Sequence, residues 1–199
     1  MAEVKNITFL GYADAKEVDD PFKAAYEVAR LCAQKGYTIV NGGGPGVMKA
    51  STQGAKSVGG RAIGVTFFPK DIPAFEGRDP SNTVDELIVT KSYLERTLKL
   101  LELGQIFIIF NGGTGTISEF GMAWGLARLY FGHHKPLILY GEFWQQIIFA
   151  FTRGMYIRPE ERQVFKIAYT PQKALLAIRE FMKKIEKEEH DHKSHIFSI

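Results

Sequence analysis

Cysteine is almost missing from this chain. Cys32 is the single one among 199 residues, so no internal disulfide can form and no thiolate cluster can hold a metal. It lies in an apolar helical stretch, YEVARLCAQKG, which reads as a buried thiol rather than a nucleophile. Long hydrophobic runs are missing as well. None approaches the ~20 residues that a membrane span needs. MAEVKNITFLGYAD at the start has no basic stretch followed by a long apolar segment, so no secretory signal is expected. Neither sign of charge dominates. The net charge is +3 with a pI of about 8.9, and the charges are mixed along the chain, which is not the footprint of a nucleic-acid binder. The expectation is a cytoplasmic protein that engages neither membrane nor nucleic acid.

Familiar site fingerprints are missing too. GxGxxG fails, because the third position after Gly113 and Gly115 is Ser118. The third strand, AIGVTFFPK, does not end on the acid that would hold a dinucleotide ribose. GxxxxGK[ST] does not occur, which excludes a P-loop ATPase. There is no HExxH and no CxxC, and His133–His134 read as capping or surface residues rather than zinc ligands. GxSxG is also absent, so a nucleophile elbow is not expected. Neither a metal nor a cofactor is called for.

What is present is a regular alternation of short apolar strands and longer helices. Strands are expected at Ile7–Gly11, Tyr37–Val40, Ala62–Phe67, Glu86–Val89, Gln105–Phe110, Pro136–Tyr140 and Val164–Tyr169. Helices are expected at Pro21–Lys35, Val47–Ser57, Ser92–Leu103, from the loop after Phe110 to about Phe131, at Glu142–Phe151 and at Pro171–Glu188. Gly36 suits the stop of the first helix. Pro69–Ser81 reads as a surface loop. Strand–helix alternation implies parallel pairing through right-handed crossovers. Continuously apolar strands such as FIIF imply a sheet covered on both faces. The fold class is therefore α/β: a doubly wound, mostly parallel, Rossmann-like sheet with helices on both faces. Residues 1–188 are expected to form one nucleotide-binding domain. Residues 189–199 read as a charged, mobile tail whose three histidines are solvated rather than metal-binding.

Two glycine-rich stretches, Gly42–Gly46 and Gly112–Gly115, each follow a strand and precede a helix. A helix N-terminus offers unpaired N–H groups and a partial positive charge, and glycine lets the backbone approach an anion. Two such loops at the carboxyl ends of strands point to a phosphate. The competing reading is a pair of tight turns that need positive φ.

The sequence resembles the LOG ("lonely guy") phosphoribohydrolases, a group also described as lysine decarboxylase-like and related to molybdenum cofactor carrier-like proteins. GGGPGVM at Gly42–Met48 matches the family's GGGxxGxM, and NGGTGTISE at Asn111–Glu119 matches PGGxGTxxE. YLERT at Tyr93–Thr97 stands where the family has a motif close to MHxRK. The resemblance runs over about residues 5–170. It implies a metal-free hydrolase and homodimer that cleaves the N-glycosidic bond of a nucleoside 5′-monophosphate, of the AMP or cytokinin riboside monophosphate type, to free base and ribose 5-phosphate. The alternative it allows is a non-catalytic carrier for a phosphorylated cofactor such as molybdopterin. Departures from the pattern are Asn111 for proline, Thr97 for lysine, Leu94 for histidine, and Gly11-Tyr12 for Gly-Ser after the first strand.

The resemblance makes Arg96 and Glu119 the candidate catalytic residues. Glu119 would face the ribose and stabilise positive charge developing on it. Thr116-Ile-Ser-Glu119 is equally a capping box, with Glu119 favoured by the helix dipole. Arg96 would be a fixed cation that holds the nucleotide and helps the base depart. Otherwise it is a solvated charge pairing with Glu95 or Glu102, on a helix whose apolar stripe is Leu94, Leu98 and Leu101. Gly112, Gly113, Thr114, Gly115 and Thr116 form the candidate phosphate cradle. Gly43, Gly44 and Met48 form its opposite wall, although Met48 also suits the core. Tyr93 would line the cleft or pack in the core. Phe67, Phe68 and Phe75 lie where an aromatic ring could stack on a base.

Overall fold

The computed structural model describes residues 4–69, 78–132 and 134–196, and side chains as far as Lys184. Its strands are β1 (Asn6–Leu10), β2 (Thr38–Asn41), β3 (Ala62–Phe67), β4 (Glu86–Thr90), β5 (Ile106–Ile109), β6 (Leu137–Tyr140) and β7 (Phe165–Ala168). Its α-helices are α1 (Asp20–Ala33), α2 (Val47–Lys56), α3 (Tyr93–Leu103), α4 (Thr114–Leu129), α5 (Phe143–Gly154) and α6 (Pro171–Ile196). The last helix runs on past its expected end at Glu188.

All seven strands pair in parallel in the order β4-β3-β2-β1-β5-β6-β7. The chain winds outward from β1 to β4, then crosses back to β5 and winds out the other way. The switch point therefore lies between β1 and β5, where a crevice opens at the strand ends.

Alternate residues of each apolar strand serve two cores. Ile7, Phe9, Ile39, Ile106 and Ile108 pack under α1, α2 and α6. Leu10, Val40, Val65, Phe107 and Ile109 pack under α3, α4 and α5. This is why these strands read as continuous hydrophobic runs rather than alternating ones. Cys32 is fully buried in the first core, and desolvation pushes its thiol up to about 12, so it is inert as a nucleophile.

Two expectations about helix faces are corrected. The Leu94–Leu98–Leu101 stripe of α3 is split: Leu101 is buried, but Leu94 and Leu98 are 60% and 48% exposed. The buried face is Arg96, Thr97, Leu100 and Leu101. Secondly, α4 begins at Thr114 with Gly113 as N-cap and no side-chain cap. Thr116 is already inside the helix, and no capping box forms. Glu119 lies beyond the first turn, so neither capping nor the dipole accounts for it.

Candidate active site

Two glycines and two asparagines set the first loop. Asn41 ends β2 fully buried. Its amide donates to the Ser51 and Thr52 hydroxyls at 3.1 and 2.8 Å, and its carbonyl accepts the Gly43 N–H at 2.9 Å. On the other side, the Asn82 amide donates to the Gly44 carbonyl at 2.8 Å, and the Asp79 N–H donates to Gly43. Gly43 and Gly46 take positive φ, 72° and 61°. The loop is thus held by side chains that the glycine motif itself does not include.

Gly42 makes room for the central cation. A Cβ there would meet Arg96 Nη2 at 1.7 Å and Met48 Sδ at 2.6 Å. Arg96 comes off α3 into this space, 6% exposed. Its Nε donates to the Val65 carbonyl at 3.0 Å and its Nη2 to the Gly42 carbonyl at 3.3 Å. Its Nη1 lies 3.5 Å from Glu119 Oε1, on the same chain. The carbonyls of Val65 within β3 and of Gly42 just after β2, with the carboxylate, hold α3 so that an arginine rather than Leu94 or Leu98 faces inward. The solvated pairing with Glu95 or Glu102 does not occur. The Glu95 carboxylate instead accepts the Lys91 N–H, and Glu102 pairs with Lys99.

Glu119 is 7% exposed. Desolvation pushes its carboxyl up to about 7, against the opposing pull of Arg96. Desolvation also lowers the Arg96 pKa, again outweighing the carboxylate beside it. Burial therefore dominates on both partners; Arg96 stays a cation, and the Glu119 carboxyl is poised to exchange a proton near neutral pH.

Above this pair opens a cavity of about 230 Å³, lined by Arg96, Glu119, Gly42, Met48, Tyr93 and the first turn of α4. Gly113, Thr114, Gly115 and Thr116 all reach it. Ile117 is the first residue whose N–H bonds within the helix, to the Gly113 carbonyl at 3.1 Å. The preceding N–H groups are left for an anion. Tyr93 spans the mouth, its hydroxyl 3.2 Å from Ser118 Oγ and its ring edge-on to Phe67.

Some candidate residues sit elsewhere. Gly112 lies beneath the cradle, where a Cβ would meet Thr116 Oγ1 at 2.1 Å. Gly43 and Gly44 turn toward Asn41, Asp79 and Asn82 instead of lining the cavity. Met48 does line it, and is also buried. Phe67 packs on Tyr93, Phe68 lies under Arg78, and Phe75 and His133 fall outside the described residues. Asn111, Thr97 and Leu94, three of the four departures from the LOG pattern, are not in the lining either.

The third wall is Gly11, Tyr12, Ala13 and Asp14 after β1; the LOG pattern touches it only at Gly11-Tyr12, which stand where the pattern has Gly-Ser, and does not reach Ala13 or Asp14. For Ala13 and Asp14 the signal available was position: they follow the strand beside the switch point.

Residues 4–156 match the SLOG cluster4 family. The chain belongs to this family. Among similar sequences, an uncharacterized protein of Archaeoglobus fulgidus is 32% identical over 133 residues, 66% of this chain and 83% of that one. The cytokinin riboside 5′-monophosphate phosphoribohydrolase of Mycobacterium tuberculosis is 37% identical over 117 residues, 58% of this chain and 59% of that protein. The match thus spans under two thirds of that enzyme. The molybdenum cofactor binding protein of Rippkaea orientalis superposes with a TM-score of 0.68 at 26% identity, covering 92% of this chain and 99% of that one.

Proposed function

We propose that this protein hydrolyses the N-glycosidic bond of a nucleoside 5′-monophosphate, releasing free base and ribose 5-phosphate. The observation that carries this reading is the buried Arg96–Glu119 pair beneath a cavity rimmed by the open first turn of α4. The 5′-phosphate accepts from the free N–H groups of that turn and from Thr114 and Thr116. This leaves the ribose over Glu119. As the C1′–N bond breaks, its electron pair goes to the base nitrogen and positive charge grows on the sugar. The Glu119 carboxylate stabilises that charge in a site where it is worth more than in water. A water oxygen then bonds to C1′, and one of its protons ends on the base. Arg96, tied to two backbone carbonyls, holds the carboxylate in place. No metal enters these steps.

Relatives named cytokinin riboside 5′-monophosphate phosphoribohydrolase support the hydrolase reading. The test is base release from a panel of nucleoside 5′-monophosphates at high enzyme concentration. Release that disappears in Glu119→Gln is expected; no release from any member sinks the reading. The second reading, a carrier for a phosphorylated cofactor such as molybdopterin, draws on the molybdenum cofactor binding protein that matches over nearly its full length. A pterin co-purifying with the native protein would favour it.

The same account includes a homodimer. Helix α4 is apolar around most of its circumference, leaving Ile117, Leu126, Leu129 and Tyr130 at least 40% exposed beside Leu94 and Leu98 of α3. A helix of that composition belongs in an interface. Sedimentation at micromolar concentration should give twice the monomer mass of 22.4 kDa; a monomer would contradict this part.

A further inference from the structure

The cavity wall formed by residues 11–14 carries Tyr12, which stands where the family pattern has serine. Its backbone is fixed on two sides. The Tyr12 N–H donates to the Asn111 carbonyl at 2.9 Å, and the Tyr12 carbonyl accepts the Val47 N–H at 3.0 Å. A Cβ on Gly46 would meet the Tyr12 and Ala13 carbonyls at 2.3 and 2.4 Å, so the segment lies flat against the start of α2. The side chains of Tyr12 and Asp14 remain uncommitted. Both residues are exposed at the cavity, and neither side chain makes a hydrogen bond or ion pair among the described residues.

The charges of the lining narrow what Asp14 can meet. Arg96 is the only Lys, Arg or His among the described lining residues, and it is committed to Val65, Gly42 and Glu119. Asp14 therefore has no cation of the protein to pair with there. As a carboxylate it only accepts hydrogen bonds, through two oxygens side by side. Its best partner is a group presenting two adjacent, parallel N–H donors, the arrangement that makes the arginine fork so effective.

We propose that Tyr12 and Asp14 read the heterocycle of the ligand, and that this heterocycle carries a 2-amino-4-oxo pyrimidine edge, as guanine and pterins do. The inference rests on the reading above, that the ligand's phosphate occupies the first turn of α4. On that edge a ring N–H and an exocyclic amine stand beside each other and match both Asp14 oxygens. Adenine offers one donor next to an acceptor, so the second carboxylate oxygen would face a lone pair. Hypoxanthine keeps the ring N–H but has no amine. The Tyr12 ring supplies a face on which any of these bases can stack. Asp14 thus sets a preference different from the adenine-type base that the resemblance implies.

The test is calorimetric titration of the wild type and Asp14→Asn with GMP, AMP, IMP, ribose 5-phosphate and a 6-methylpterin phosphate monoester. GMP is expected to bind roughly tenfold or more tightly than AMP or IMP, since a missing hydrogen-bond partner is strongly discriminating. Asp14→Asn turns one acceptor into a donor and should remove that preference, with ribose 5-phosphate as the internal reference. The pterin monoester separates the two sources of the edge. A tighter pterin than GMP points to a pterin ligand, the reverse to a nucleotide, and either keeps the inference. AMP binding as tightly as GMP, or a preference that survives Asp14→Asn, overturns it while leaving the phosphate site standing. If no phosphate ester binds, both readings fall.

Discussion

Replacing Glu119 by glutamine should make the protein more stable above neutral pH and much less active. The carboxyl is raised by burial from its ordinary 4.5 to about 7. A carboxyl with a raised folded pKa stabilises the fold while protonated, and that contribution is lost as pH rises through the folded value. Between pH about 5.5 and about 8.5, the wild type should lose about 2 kcal/mol of stability from this group, because its folded state gives up a proton that the unfolded chain has already lost. Glutamine matches the protonated carboxyl in size and cannot ionise. Matching the protonated form, the variant should therefore exceed the wild type by about 1 kcal/mol at the lower pH and by about 3 kcal/mol at the higher one, a widening of about 2 kcal/mol. Urea unfolding of both proteins at the two values measures this directly, and the difference between them cancels other titrating groups. Base release by the variant should fall by about 10²–10³-fold. A variant less stable than the wild type at the higher pH would refute the reasoning. The 3.5 Å pair with Arg96 would then outweigh desolvation.

Further outcomes follow from the same geometry. For the wild type, kcat/KM should rise with pH through about 7 as the Glu119 carboxylate forms; a flat profile across that range would separate Glu119 from the chemistry. Arg96→Ala should cost about 3 kcal/mol or more in urea unfolding above neutral pH, because it strands a buried carboxylate. Gly42→Ala should displace Arg96 and abolish ligand binding, whereas Gly113→Ala, with nothing within 4 Å of its added carbon, should keep the native fold; equal effects on thermal melting would contradict this contrast. Cys32 should resist alkylation in the native protein at mildly alkaline pH, since its thiol is buried and pushed up to about 12; rapid modification would show that the first core opens.

Much of the fold was legible because parallel strands covered on both faces are written as unbroken apolar runs. Strand β3 has the expected limits, Ala62–Phe67. The direction of α3 was not legible. Its leucines form a stripe at helical spacing, but periodicity does not say which way a stripe faces. Here Arg96 turns inward because the carbonyls of Val65 in β3 and of Gly42 after β2, with a carboxylate from α4, satisfy it. The start of α4 was misplaced because Thr116 and Glu119 have capping-box spacing, whereas the helix is nucleated earlier, at the glycine-flanked Thr114. The buried Arg96–Glu119 pair and the open first turn of α4 were visible through motifs. Tyr12 was marked only as a departure from the family's Gly-Ser, and Asn41, Asn82 and Asp14 not at all, since each acts through contacts outside the motifs or through its place beside the switch point.

The central claim is that one cavity seats a 5′-phosphate on the first turn of α4 with the sugar above Glu119. A crystal structure of Glu119→Gln with a nucleoside 5′-monophosphate tests it most directly. The phosphate should accept from the N–H groups of Thr114, Gly115 and Thr116, with C1′ nearest residue 119. A phosphate bound elsewhere, or a sugar turned away from residue 119, would contradict the account.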